Sequence, residues 1–137
     1  MKIQPIKHLA VLIIVLLFTS CYDRDIIDSK EFNHSIPTVE NLQCTNDGNS
    51  VKLTWDIPST IPDDIKRPIE VQIQVVENDI YRQKVTLAEV NPGKATINVD
   101  ADKKYRFIVK LQGFIKDESR AVGESEKVVS ASAIVEK

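Results

Sequence analysis

Cysteine, histidine and glycine are scarce in this chain of 137 residues, which contains 2 Cys, 2 His and 4 Gly. No Cys/His spacing typical of a zinc site occurs, and so few glycines cannot form a glycine-rich phosphate-binding loop. Asp100 and Asp102 could contribute oxygens to calcium, but the glycine and the distal glutamate of an EF-hand loop do not accompany them. We therefore predict neither a metal site nor a cofactor.

Recognisable sets of catalytic side chains are also missing. His34 is the one histidine after the N-terminal apolar stretch, and it falls in a polar segment where nothing positions it as a base. The acidic pairs Asp63-Asp64 and Asp100-x-Asp102 fall in a predicted loop and a predicted turn, where aspartate is favoured by backbone geometry. Because acid–base catalysis needs two carboxylates in a shaped cleft, we predict that the protein is not an enzyme.

Long hydrophobic runs are absent except for Leu9–Phe18 near the N-terminus. Its ten residues are too few to span a bilayer, which requires about 20. Lys2 and Lys7 precede the run, and the small residues Thr19 and Ser20 follow it. A basic start, a short apolar core and small residues before a cleavage point are typical of a secretory signal peptide, which we predict for residues 1–20.

The end of this leader, Leu17-Phe18-Thr19-Ser20-Cys21, resembles the lipobox of bacterial lipoproteins, with Phe18 where an aliphatic residue is usual. Looser lipoboxes of this kind are similar to those of Bacteroidota-type lipoproteins. The resemblance implies that Cys21 is acylated, becomes the first residue of the mature chain and attaches it to the membrane. The alternative is an ordinary secretory signal, which would leave Cys21 as an exposed thiol.

The resemblance also implies a location, the outer membrane, on either its periplasmic or its surface face. Three acidic residues soon after Cys21 resemble the surface-export signals of these bacteria and slightly favour the surface: Asp23, Asp25 and Asp28.

Positive charge is not in excess. The chain has 18 basic and 20 acidic residues. Without Lys2 and Lys7, 16 basic residues face 20 acidic ones, a net charge of −4. Because nucleic-acid-binding domains carry a basic patch, we predict no nucleic-acid partner.

The mature chain divides into a tether and one domain. Tyr22–Ile36 is polar and charged without a sustained period, which predicts a flexible tether over residues 21–36. Residues 37–137 are long enough for one domain with its own core. If Cys21 is acylated, Cys44 has no disulfide partner. Cys44 is in phase with Leu42 and is expected to be a small buried residue.

Alternation of apolar and polar residues predicts an all-β domain. Val51, Leu53 and Trp55, the only tryptophan, alternate with polar residues before Pro58 ends the strand. Ile69–Val75 shows the cleanest alternation. The pattern and its turn signals predict a seven-stranded antiparallel β-sandwich. The predicted strands are Val39–Thr45, Val51–Trp55, Ile69–Val75, Ile80–Thr86, Ala95–Val99, Tyr105–Leu111 and Lys127–Val135.

Three motifs in this order resemble a fibronectin type III domain. They are Val51-x-Leu53-x-Trp55-x-x-Pro58, the spacing of Val99 to Tyr105, and Gly123-x-Ser125 before a valine-rich strand. The resemblance covers residues 37–135. It implies that Trp55 is at the core centre and that Tyr105 forms a tyrosine corner, its ring buried and its hydroxyl bonded to backbone.

The resemblance further implies that the loops 57–68 and 113–126 emerge at the same end of the sandwich. Apolar and basic residues in these loops are candidates for contacting a partner: Ile61, Ile65, Lys66, Arg67, Phe114, Ile115, Lys116 and Arg120. The alternative is that the loops pack against the sandwich instead.

Our leading hypothesis for function is therefore a lipid-anchored, non-enzymatic binding or accessory module. It would present these loops to a partner, for which an envelope protein or a glycan is possible. The second hypothesis is a glycan-binding accessory lipoprotein of a polysaccharide-uptake system. Glycan binding needs exposed aromatic rings, for which the mature chain offers Tyr81 and Phe114 as the plausible candidates.

Overall fold

The computed structural model describes residues 34–137, which form eight β-strands. The strands are β1 (Glu40–Asp47), β2 (Ser50–Asp56), β3 (Glu70–Glu77), β4 (Ile80–Ala88), β5 (Gly93–Asn98), β6 (Tyr105–Phe114), β7 (Lys127–Val129) and β8 (Ala133–Glu136), with a 3-10 turn at Asp117–Ser119. Across these residues no helix is long and apolar enough to cross a membrane. The predicted signal peptide and Cys21 lie outside the described residues.

The strands form two antiparallel sheets that pack as a sandwich. One sheet has three strands in the order β1-β2-β5. The other has five, in the order β4-β3-β6, with both β7 and β8 pairing with β6. The predicted all-β sandwich is confirmed, with eight strands instead of seven.

Ser130 divides the last predicted strand, Lys127–Val135, into β7 and β8. Its hydroxyl accepts a hydrogen bond from the Leu111 N–H at 2.9 Å and donates one to the Ala131 carbonyl at 2.8 Å. Gln112 pairs with Val129 and Val109 pairs with Ala133, so the register along β6 shifts by one residue between β7 and β8. A side chain thus replaces a backbone partner at this position, as in a β-bulge.

The core fills the space between the sheets with the inward residues of the alternating strands. Trp55 is 2% exposed, and Leu53 and Phe107 are fully buried. Ile69, Val71, Ile73 and Val75 are buried as their alternation predicts. Cys44 is half-buried against this core, and burial raises the pKa of its thiol.

The two ends of the sandwich carry different connections. We call the end with residues 57–69, 89–92 and 115–126, together with Phe114 at the end of β6, the loop end. The end with residues 48–49, 78–79 and 99–104 is the turn end. β1 begins at Glu40 opposite Asp56, the last residue of β2, so the chain enters the domain at the loop end. The loops 57–68 and 113–126 share this end, as expected.

The segment before β1 packs on the domain from His34 onward. The sequence places His34 and Ile36 in a tether, whereas the structure buries Ile36 in the core with 4% exposure. A Cβ on Gly113 would lie 2.9 Å from the Ile36 side chain, so the glycine makes room for it. The folded part therefore begins before Pro37. The sequence did not reveal this, because a single isoleucine can bury its side chain without any local periodicity.

Candidate functional site

Backbone hydrogen bonds join the two long loops at the loop end. The Lys66 N–H donates to the Phe114 carbonyl at 2.7 Å, and the Lys116 N–H donates to the Asp64 carbonyl at 2.8 Å. Ile65 and Ile115 form a β-bridge at the same place. These bonds hold the loops in a fixed arrangement even though neither loop forms a strand of its own.

The three isoleucines predicted to contact a partner are buried instead. Ile61 is 7% exposed, and Ile65 and Ile115 are each 1% exposed. A Cβ on Gly113 would lie 2.6 Å from Ile65 Cγ2, so the missing side chain at Gly113 lets Ile65 pack inward. For these residues the loop-packing alternative is correct, since burying an isoleucine gains about 1.5–3 kcal/mol.

The basic candidates remain accessible and are mostly ion-paired. Lys66 Nζ lies 3.4 Å from Asp117 Oδ1 and 3.5 Å from Glu126 Oε1, and Arg120 Nη1 lies 3.7 Å from Glu126 Oε2. Arg67 pairs with Glu89, which also accepts the Ile69 N–H at 2.9 Å. Exposed pairs of this kind add little stability. The loop end therefore offers both signs of charge to a partner.

Lys116 differs from the other basic candidates. Its side chain is half-buried and forms no ion pair with any residue between 34 and 137. An unpaired ammonium group is available to an acidic group of a partner without first breaking an internal contact.

Phe114 and Tyr81, the candidate rings for a glycan, are both exposed, by 37% and 57%. Tyr81 pairs with Val76, and Val76 pairs with Arg106, eight residues before Phe114 on β6. Eight residues of strand span about 26 Å. The two rings therefore cannot stack on the same sugar, and their arrangement adds no support to glycan binding.

His34 joins the N-terminal segment to both loops of the loop end. Its Nδ1 is hydrogen-bonded to Asp64 Oδ2, and its Nε2 lies 3.5 Å from Glu124 Oε2. Glu124 also accepts the Ala121 N–H at 2.9 Å. The side chains are 15%, 26% and 10% exposed for His34, Asp64 and Glu124, so the contact is largely shielded from water.

This histidine is positioned, although the sequence places it in a tether. The two carboxylates lie on opposite ring nitrogens, so their oxygens do not converge on a common ion. Across residues 34–137, no group of His, Cys, Asp and Glu side chains is arranged to hold a metal. His34 therefore acts as a clamp that holds the N-terminal segment to Asp64 and Glu124 of the two loops. Its partners are distant in sequence, and no periodic signal could have revealed them.

A polar cleft of about 720 Å³ lies at the turn end, against Tyr105. The Tyr105 hydroxyl donates to Glu77 Oε2 at 2.9 Å and accepts the Asp100 N–H at 3.0 Å, which confirms the predicted bond to backbone. Lys103 Nζ lies 2.7 Å from Asp100 Oδ2 and 3.2 Å from Glu77 Oε1. Asp100 is thus part of a structural cluster around the tyrosine, whereas Asp102 is exposed and lines the cleft.

The hydrogen bonds shift the pKa values of this cluster. The bond from Tyr105 lowers the pKa of Glu77, and Lys103 and Arg82 lower it further against the opposing effect of desolvation. Burial is the main cause that raises the pKa of Tyr105. Both shifts favour the protonation states that the hydrogen bond requires, a charged Glu77 and a neutral Tyr105.

These features define a β-sandwich domain whose loop end is held by backbone bonds and a histidine clamp and carries a charged surface. The chain belongs to the protein family described as Domain of unknown function (DUF4945), which matches residues 21–137. A comparison with curated proteins finds no match. The family match begins at Cys21 and includes the whole described domain.

Proposed function

We propose that the protein is a lipid-anchored, non-enzymatic binding module of the bacterial outer membrane, with the cell-surface face favoured over the periplasmic one. The lipobox-like residues Leu17–Cys21 support the anchor. The family match supports it too, because its first residue is Cys21, the residue that acylation would place at the mature N-terminus.

The finer fold assignment that we propose is a fibronectin type III-like domain. It is supported by the sheet orders β1-β2-β5 and β4-β3-β6-β7, by Trp55 on the second strand, and by the Tyr105 hydroxyl bonded to the Asp100 N–H. Domains of this architecture serve many functions, so the assignment supports a binding role only through the surfaces it presents.

The loop end is the surface that we propose for a protein partner in the cell envelope. The observation that carries this proposal is the pair of backbone bonds between the loops, from Lys66 to Phe114 and from Lys116 to Asp64. A loop surface that is ordered before binding loses less conformational entropy when a partner docks. The accessible candidates on it are Lys66, Arg67, Phe114, Lys116 and Arg120.

Metabolic labelling with radioactive palmitate tests the anchor. We expect the wild-type protein to incorporate label and the Cys21→Ala variant to incorporate none. Equal labelling of both proteins would contradict the anchor, whatever the domain binds.

Site-specific photo-crosslinking in intact cells tests the binding surface. A crosslinking amino acid at position 120 is expected to give a discrete adduct. The matched control places it at position 52, an exposed position on the outer face of the three-stranded sheet. Absence of an adduct at position 120, or the same adduct at both positions, would contradict loop-end binding.

A further inference from the structure

The outer faces of the two sheets differ in character. Over residues 34–137, none of the exposed large hydrophobic side chains lies on β1, β2 or β5. The outward positions of the five-stranded sheet carry four of them, exposed by 57%, 37%, 42% and 55%: Tyr81, Phe114, Val129 and Ile134. One sheet thus has a solvated outer face, whereas the other exposes apolar groups of the kind found at interaction sites.

Strand register places three of these residues, Phe114, Val129 and Ile134, together with the half-buried Ile108, in two pairs along β6. Ile108 lies directly opposite Ile134. Val129 lies opposite Gln112 and therefore diagonal to Phe114, within reach of an aromatic side chain. Ile108 and Gln112 are four residues apart on β6, so Val129 lies about 13 Å along the strand from the Ile108–Ile134 pair, and Phe114, six residues from Ile108, lies about 20 Å from it.

Unpaired positive charge lies between and beside the two pairs. Lys110 is half-buried on β6 between Ile108 and Gln112, and Lys127 lies opposite Phe114. Neither lysine forms an ion pair with any residue in the described part of the chain. The pattern along this face is therefore apolar, positive, apolar.

The nearby carboxylate is already engaged. Glu70 accepts a hydrogen bond from Gln112 Nε2 at 3.0 Å, and Gln72 donates to Gln112 Oε1. Gln72 and Gln112 are 8% and 5% exposed, so this hydrogen-bonded network is buried and holds its side chains in fixed positions beneath the face. Glu70 remains out of ion-pair range of Lys110, which leaves the ammonium group for an external partner.

We propose that this face binds an extended, acidic protein segment in which two apolar side chains flank a carboxylate. Side chains two residues apart point the same way in a strand. In an extended apolar-x-acidic-x-apolar segment the two apolar residues are four residues apart, about 13 Å, which matches the distance from the Ile108–Ile134 pair to Val129. A bilayer is a poorer match, because a membrane that received both apolar pairs would also have to desolvate the Lys110 ammonium between them. The inference goes beyond the loop-end surface and shares only Phe114 with it.

Fluorescence anisotropy with the detergent-solubilised full chain tests the proposal. The probe is a labelled peptide Thr-Ile-Thr-Asp-Thr-Ile-Thr, and the control peptide has lysine in place of aspartate. We expect the acidic peptide to bind at least tenfold more tightly than the basic one, with an affinity that falls as salt rises. Equal binding of the two peptides would overturn the proposal.

Two variants and a control locate the site. Lys110→Glu should weaken the acidic peptide at least tenfold and reverse the preference in favour of the basic peptide, and Ile134→Ser should weaken both peptides. Lys52→Glu, on the solvated outer face, should change nothing. Lys127→Glu replaces Lys110→Glu if the latter lowers the melting temperature. Unchanged binding in the face variants overturns the proposal, as does binding of the chain to anionic vesicles but not to the peptide.

The outcome is separable from that of the proposed function. Lys110→Glu is expected to leave palmitate labelling and the adduct at position 120 unchanged, because Lys110 belongs neither to the anchor nor to the loop-end candidates. Either proposal can therefore fail while the other stands.

Discussion

The indole ring of Trp55 lies directly against Gly93, its register partner across β2 and β5. A Cβ on residue 93 would be only 2.1 Å from Trp55 Nε1 and 2.2 Å from Cε2, so no other residue fits without moving the ring. The glycine at the start of β5 is therefore part of the packing around the tryptophan. The chain's only tryptophan is buried at this end of β2 because the facing strand omits a side chain there.

Replacing this glycine is expected to destabilise the domain. Gly93→Ala should cost about 1–3 kcal/mol, because overpacking a core forces rings and backbone out of their preferred positions. Urea unfolding measures the cost. Lys94→Ala, at the next and exposed position of β5, should stay within about 0.5 kcal/mol of wild type. If Gly93→Ala and wild type unfolded at the same urea concentration, the Trp55 ring would not be packed against Gly93 as closely as described.

The Tyr105 hydroxyl makes two hydrogen bonds, one to Glu77 at the end of β3 and one to the Asp100 N–H in the turn end. Tyr105→Phe removes the bonds to Glu77 and to the Asp100 N–H, and it should lower the free energy of unfolding by about 1–2 kcal/mol. Chemical denaturation with an unchanged m-value is the measurement. Tyr81→Phe, at an exposed ring, is the matched control. If the two variants unfold at the same denaturant concentration, the Tyr105 hydroxyl does not hold the corner.

Glu77 is expected to make the domain sensitive to acid. Its pKa is lowered from 4.5, first by the Tyr105 hydrogen bond and then by Lys103 and Arg82. On acidification the unfolded chain therefore binds the proton before the folded chain does. The stabilisation is present above pH 4.5 and is lost as the pH falls through the lowered pKa of the folded state.

Melting temperatures between pH 7 and pH 3 measure this sensitivity. Glu77→Gln should be less stable than wild type at pH 7 and should lose less stability below pH 4.5. Glu118→Gln, at an exposed position, should parallel wild type. A Glu77→Gln curve parallel to that of wild type across the acidic range would contradict the assignment.

His34 and Asp64 should be energetically coupled. A double-mutant cycle with His34→Ala and Asp64→Ala is expected to give an interaction energy of about 0.5–3 kcal/mol, since the two side chains share a partly buried hydrogen bond. Asp63 is the matched control, because it precedes Asp64 and is exposed. A cycle between His34 and Asp63 should give nearly zero. Equal coupling in both cycles would mean that His34 makes no specific clamp.

The regular part of the fold could be predicted because it depends on local pattern. The alternation at Val51, Leu53 and Trp55, and again at Ile69–Val75, records which residues face the other sheet, and the structure buries them all. The hydrogen bond between the Tyr105 hydroxyl and backbone was expected because the Val99-to-Tyr105 spacing resembles a motif of fibronectin type III domains. In both cases residues near one another in sequence carry the signal.

The irregular parts could not be predicted because distant residues decide them. Ile65 and Ile115 are apolar residues in polar loops. Ile65 packs into the space left by Gly113, and Ile115 is joined to Ile65 by a β-bridge. In the sequence Ser130 is an ordinary strand residue, and only the hydrogen bond that its hydroxyl accepts from the Leu111 N–H shows that it interrupts the strand. His34 becomes a clamp through Asp64 and Glu124, thirty and ninety residues further along the chain.

Protease shaving of intact cells, with Cys21→Ala expressed in parallel, tests the central claim most directly. A lipid-anchored module on the cell surface should be lost from unlysed cells on protease treatment, and Cys21→Ala should no longer fractionate with membranes. Protection of the wild-type domain until lysis would contradict the cell-surface location, place the domain in the periplasm and point to a periplasmic partner. Membrane fractionation of Cys21→Ala identical to that of wild type would contradict the anchor.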